Sequence, residues 1–99
     1  MEDEPVVLPI EDVLDLHPFR PGETASVVEE YLREASARGL CRVRLIHGRG
    51  TGVQRRIVRA VLGRSPLVAS YADADPSGGG WGATVAVLHA PGGEEPVAR

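Results

Sequence analysis

Two short runs in this chain carry side chains that could do chemistry. The first is His47-Gly48-Arg49-Gly50-Thr51-Gly52. Glycines at alternate positions allow a tight turn that presents backbone amides outward. A strand-like run precedes the turn and a helix-like run follows it. A helix start adds unpaired N–H groups and a partial positive charge. Together these make an anion site, most often for phosphate, and Arg49 would add a charge-assisted contact. The plainer reading is a turn whose glycines serve backbone geometry alone. A nucleotide P-loop would end in Gly-Lys-Ser/Thr, and the chain has no lysine. A dinucleotide fingerprint would read Gly-x-Gly-x-x-Gly, whereas the spacing here is Gly-x-Gly-x-Gly. No nucleotide cofactor is expected.

The second run is Asp15-Leu16-His17. On a strand, Asp15 and His17 project from the same face. A carboxylate beside an imidazole orients the ring and raises its basicity. Such a pair could serve acid–base cleavage of a phosphodiester or hold a divalent metal such as Mg²⁺ or Mn²⁺. It could equally be a strand-end histidine satisfied by the backbone. His47 closes a second strand. If the two strands are parallel, their C-terminal ends share one edge, where ligands bind in open α/β sheets. Asp15, His17, His47, Arg49 and the next helix start would then converge.

The elements that must position these residues read as β-α-β-α-β-β. A strand is expected over residues 10–16 and a loop over 17–23. A helix follows over 24–38, with Thr24 as N-cap and Gly39 as its stop. Val28, Tyr31, Leu32 and Ala35 form its apolar stripe. Residues 41–46 read as a strand with Val43 and Leu45 on one face and Arg42 and Arg44 on the other. A second helix is expected over 52–62. Val53, Ile57, Val58, Val61 and Leu62 would face inward, with Arg55, Arg56 and Arg59 opposite and Gly63 and Pro66 ending it. Strands over 68–72 and 83–89 complete the unit, the last apolar enough to be central. Alternation of this kind builds an α/β (α+β) two-layer sandwich: a four-stranded mixed sheet with two helices on one face. Residues 1–9 and 90–99 read as flexible tails around a domain at 10–89. Trp81, in a glycine-rich connection over 75–82, could stack on a base or cap the sheet edge.

Charge is unevenly distributed along the chain. Residues 35–64 carry eight arginines and no acid, whereas residues 1–34 carry ten acids and two arginines. A basic tract of this kind attracts polyanions, and the arginine fork suits phosphate oxygens. The competing reading pairs these arginines with the acids of the first helix. The chain is 99 residues long, which suits one domain. Its single cysteine excludes an internal disulfide framework. No apolar run reaches the ~18 residues of a membrane span, and the acidic start is unlike a leader sequence. A cytoplasmic protein without membrane contact, monomeric or weakly dimeric, is expected.

Three blocks carry a resemblance: Leu14-Asp15-Leu16-His17, then His47-Gly48-Arg49-Gly50-Thr51-Gly52, then Gly82-Ala83-Thr84-Val85. In this order they resemble the signature of the Smr (small MutS-related) domain, over roughly residues 12–89. The resemblance implies a fold similar to the C-terminal domain of bacterial translation initiation factor three, with the last strand antiparallel inside the sheet. It implies nucleic acid, DNA or RNA, as partner. It also implies either endonuclease activity of nicking type or non-catalytic binding of branched or structured nucleic acid. By the match of blocks, Asp15 and His17 are tied to cleavage. His47, Gly48 and Gly50 are tied to nucleic-acid contact and catalysis, and Thr84 to structure. The wider phosphate-binding set expected is Gly48, Arg49, Gly50, Thr51, Gly52, Arg55, Arg56 and Arg59. One departure is Pro18, where the family usually has glycine; it constrains the backbone of His17. A protein-interaction domain using the arginine tract is the remaining alternative.

Overall fold

The computed structural model describes residues 12–74 and 82–89. The readings made for residues 1–11, for 75–81 with Trp81, and for 90–99 lie outside these described residues. In chain order the elements are β1 (Asp12–Asp15), α1 (Pro21–Ala37), β2 (Arg42–Ile46), α2 (Val53–Arg64), β3 (Val68–Asp73) and β4 (Ala83–Leu88). The four strands form one sheet in the order β1-β2-β4-β3. β1 runs parallel to β2, while β4 is antiparallel to both β2 and β3. The β-α-β-α-β-β mixed sheet is thus the observed architecture, with the apolar β4 at an interior position.

Register decides which side chains face the helices. Leu14 lies opposite Leu45, Leu45 opposite Thr84, and Val43 opposite Ala86. Period-two alternation puts all of these on one face. They join Val28, Leu32 and Ala35 of α1 and Val58, Val61 and Leu62 of α2 in a single core. Both helices therefore cover the same face. The other face carries Val13, Arg42, Arg44, Val85 and Val87, with Val13 and Val87 exposed.

Several boundaries differ from those the sequence suggests, each for a physical reason. α1 begins at Pro21 and is capped by Arg20, not Thr24. Proline is favoured in the first helical position, where its missing N–H costs nothing. Glu23 then reaches back to accept from the Arg20 N–H at 2.9 Å, half of a capping box. Thr24 consequently lies inside the helix, fully buried. α2 runs through Gly63 to Arg64 and stops before Ser65-Pro66. Gly63 there is an interior glycine, and Pro66 is the real terminator. Val53, expected to face inward, is exposed because it occupies the first residue of the helix.

Candidate functional site

The backbone of the glycine turn comes first. Gly48 and Gly52 have φ of +78° and +87°, conformations costly for any side chain. The turn is pinned from β4. The N–H groups of His47 and Gly48 both donate to the carbonyl of Gly82, at 3.1 and 2.8 Å. Gly82 lies close enough that a Cβ there would sit 3.4 Å from Arg49 Cγ and 3.6 Å from the Gly48 carbonyl carbon. The third block thereby fixes the second. Gly52 is the N-cap of α2 and brings no capping side chain, and the first turn holds no acid; the Thr51 hydroxyl accepts from the Val53 N–H at 3.4 Å. The positive end of the helix dipole therefore meets no carboxylate of its own first turn. The turn and the start of α2 line a shallow pocket of about 240 Å³, with Pro21 at its margin.

His47 is only 6% exposed and faces the helices. Its Nδ1 lies 3.0 Å from the Gly48 carbonyl, and its Nε2 lies 2.8 Å from Thr84 Oγ1. A carbonyl oxygen only accepts, so Nδ1 carries the proton and Nε2 accepts from the threonine hydroxyl. Burial pushes the imidazole below the ordinary histidine range, with the nearby Arg55 and Arg59 adding to that and the Gly48 carbonyl opposing it. In this state His47 is neutral and has both ring nitrogens engaged within the protein.

Asp15 and His17 lie elsewhere, on the rim where β1 ends. Asp15 Oδ1 accepts from the His17 ring Nδ1 at 2.7 Å and from the His17 backbone N–H at 3.0 Å. These bonds hold the Asp15 carboxyl below its usual range, the backbone one first and the ring one second. With Nδ1 donating, Nε2 of His17 is the basic nitrogen. The ring rests on the turn: a Cβ built on Gly48 would lie 2.9 Å from His17 Nε2. Glycine is thus required at position 48 both by its φ and by this contact.

The structure therefore brings Asp15 and His17 to the glycine turn, whereas His47 braces that turn from within. The two imidazoles meet Gly48 at different atoms rather than sharing one centre. Asp15 and His17 offer two ligands for a divalent ion. Among the described residues, no group of three or more His, Cys, Asp or Glu comes together.

The arginines expected to bind phosphate separate into two kinds. Arg49 and Arg56 are exposed. Arg55 and Arg59 lean over the β3 edge, where both donate to the same oxygen of Asp73, at 2.7 and 3.0 Å. Arg59 also lies 5.0 Å above the Tyr71 ring. Arg55, Arg56 and Arg59 still line a second open hollow together with Thr51 and Gly52. The acids of α1 pair elsewhere, Glu29 with Arg64 and Glu30 with Arg33. Arg64, one of the eight arginines of the tract, is thus paired with an acid of the first helix, as the competing reading expected.

Two residues at the site escape a reading for motifs. Gln54 donates from Nε2 to the carbonyls of Leu16 and Phe19, and its Oε1 accepts from Thr24 Oγ1. Its signal is positional: it lies four residues before Val58, so it is a polar residue on the inward stripe of α2. Asp73 sits two residues after Tyr71, on the helix-facing side of the edge strand, and alternation could have found it.

The Smr domain family model matches residues 14–89. The chain is 44% identical over 75 residues to endonuclease MutS2 of Thermus thermophilus, a match covering 76% of this chain and 10% of that protein. It is 42% identical over 72 residues to endonuclease MutS2 of Staphylococcus saprophyticus, covering 73% of this chain and 9% of the relative. The chain thus spans about a tenth of the length of these relatives. Among solved structures, the Smr domain of Thermus thermophilus MutS2 superposes with a TM-score of 0.77 at 42% identity, covering 80% of this chain and 99% of that one. YdaL, a stand-alone small MutS-related protein of Escherichia coli, superposes with a TM-score of 0.66 at 32% identity, covering 77% of this chain and 63% of that one.

Proposed function

The chain belongs to the Smr domain family, and we propose that it binds nucleic acid at the glycine turn and cleaves a phosphodiester there. The observation that carries this reading is the placement of the His17 ring against Gly48, beside the start of α2, whose first turn carries no acid. Phosphate oxygens settle against the amides after Gly50, with Arg49 and Arg56 as charged contacts. Asp15 holds the His17 ring by Nδ1, which leaves Nε2 to take the proton from the attacking oxygen. That oxygen bonds to phosphorus, the bond from phosphorus to the leaving sugar oxygen breaks, and the leaving oxygen receives a proton. His47 acts by bracing the turn through Gly48 and Thr84, not by touching the reacting atoms. A divalent ion, if one is used, would find ligands in Asp15 and His17.

The test is conversion of supercoiled plasmid to the open circular form, run beside an RNA substrate and a chelator control. Nicking by the wild-type protein and its loss in His17→Ala support the reading. Equal nicking by the two proteins removes His17 from the mechanism.

One observation favours a second reading, binding without cleavage. The side chains of His17 and Asp15 are 63% and 57% exposed, and a solvated pair has little of the shielding that strengthens catalytic electrostatics. Under that reading the arginines and the turn are needed and His17 is not.

A further inference from the structure

Asp15 holds the His17 N–H and ring, but Pro18 leaves the turn that carries them poorly fixed by the local sequence. Residues 16–19 form a turn closed by the Phe19 N–H donating to the Leu16 carbonyl at 3.0 Å. His17 and Pro18 occupy its two central positions. Proline in the second of these restricts the residue before it and disfavours the commonest turn geometry. It also has no N–H to contribute. A turn of this composition needs fastening from outside.

Gln54 supplies the fastening. Its Nε2 donates to the Phe19 carbonyl at 3.0 Å and the Leu16 carbonyl at 3.3 Å, one on each side of the His17–Pro18 step. Carbonyl oxygens only accept, so the orientation of the amide is determined. Its Oε1 then faces the Thr24 hydroxyl, a fully buried donor. One side chain therefore joins the end of β1, the loop after it and the first turn of α1. Gln54 is also the second residue of α2, two positions after the Gly52 cap. Whatever it holds is indexed to the helix end that faces the anion.

We propose that Gln54 is the positioning residue that seats His17 on Gly48 and sets it against the start of α2. This deepens the reading of His17 as the base and rests on it. Gln54 touches no reacting atom. It acts by fixing the two carbonyls between which the His17 backbone runs. The His17 ring lies where a Cβ on Gly48 would stand, so a rotation of the loop would carry it away from the turn.

The experiment compares wild type with Gln54→Leu, which keeps most of the side-chain volume and removes the amide. NMR of the free protein reads cross-peaks between the His17 ring protons and the Gly48 α-protons. They are expected in wild type and absent or strongly weakened in Q54L. On a short duplex, Q54L should keep KM within about threefold while kcat falls at least about tenfold, the pattern of a misplaced base rather than a lost binding site. Cross-peaks and kcat both unchanged in Q54L overturn the proposal. If the wild-type protein does not cleave, the catalytic reading of His17 falls, and the cross-peaks alone decide the role of Gln54. If circular dichroism shows Q54L unfolded, Thr24→Val replaces it. That variant removes the donor to Gln54 Oε1 and, with it, the hydroxyl's bond to the Arg20 carbonyl inside α1; weakened cross-peaks support the proposal and unchanged ones overturn it.

Discussion

His17 is the residue proposed as the base, and that role sets the expected effect of removing it. A positioned general base contributes roughly 10²- to 10⁴-fold to rate, so His17→Ala should lose about that much in single-turnover cleavage. His47 titrates differently. Burial lowers its pKa in the folded state below the ~6.5 of an unfolded chain. The unfolded state therefore takes up a proton first as pH falls. Stability from this group is complete above about pH 6.5 and declines below it, by up to about 1.4 kcal/mol per pH unit. Urea unfolding of wild type and His47→Gln between pH 5 and 8 checks this: the variant should lose that part of the slope. Asp73 is a third case, because its Oδ1 occupies the forks of both Arg55 and Arg59 as a phosphate oxygen would. Asp73→Asn should bind an oligonucleotide more tightly, by about three- to tenfold at low salt. Unchanged or weaker binding, read by fluorescence anisotropy, would show that the carboxylate preorganises the arginines instead.

The glycine turn is the element that joins these residues, and it tolerates little change. Gly48→Ala adds a side chain in the left-handed region, at about 1–2 kcal/mol, and drives it into the His17 ring. The midpoint of thermal unfolding should fall by at least about 4 °C, with cleavage reduced further than stability alone explains. Elements were legible in the sequence wherever one periodicity ruled the segment. Val28, Leu32 and Ala35 announce α1, and Val43 and Leu45 announce β2, because each stripe is buried on one side and polar on the other. Element ends were less legible because they are set by partners outside the stripe. Pro21 fell in the loop expected over 17–23 and is the first residue of α1, since Glu23 reaches back to the Arg20 amide. Thr24 looked like a cap and instead serves Gln54.

At the scale of the whole molecule, Glu29 and Glu30 of α1 pair with Arg64 and Arg33. The exposed Arg49 and Arg56, with Arg55 and Arg59 in exchange with Asp73, should neutralise about three phosphates. The slope of log K against log salt should then be near −3 on duplex DNA; a slope near zero would remove the electrostatic account. The meeting of two parallel strand ends on one rim was legible from the order of elements, because parallel strands linked by a helix place their C-terminal ends together. The different surroundings of the two histidines, one exposed and one buried, were not. They depend on strand parity and on Thr84, a partner 37 residues away from His47. The proposed function needs the His17 ring and the amides after Gly50 to form one phosphate-binding rim. The direct measurement is an NMR titration with a short oligonucleotide, following the His17 ring protons together with the amides of residues 48–54. The account predicts that both sets shift along one binding curve with a single Kd. Shifts that leave the His17 ring unmoved, or that gather around Arg33 and Arg64 instead, would contradict it.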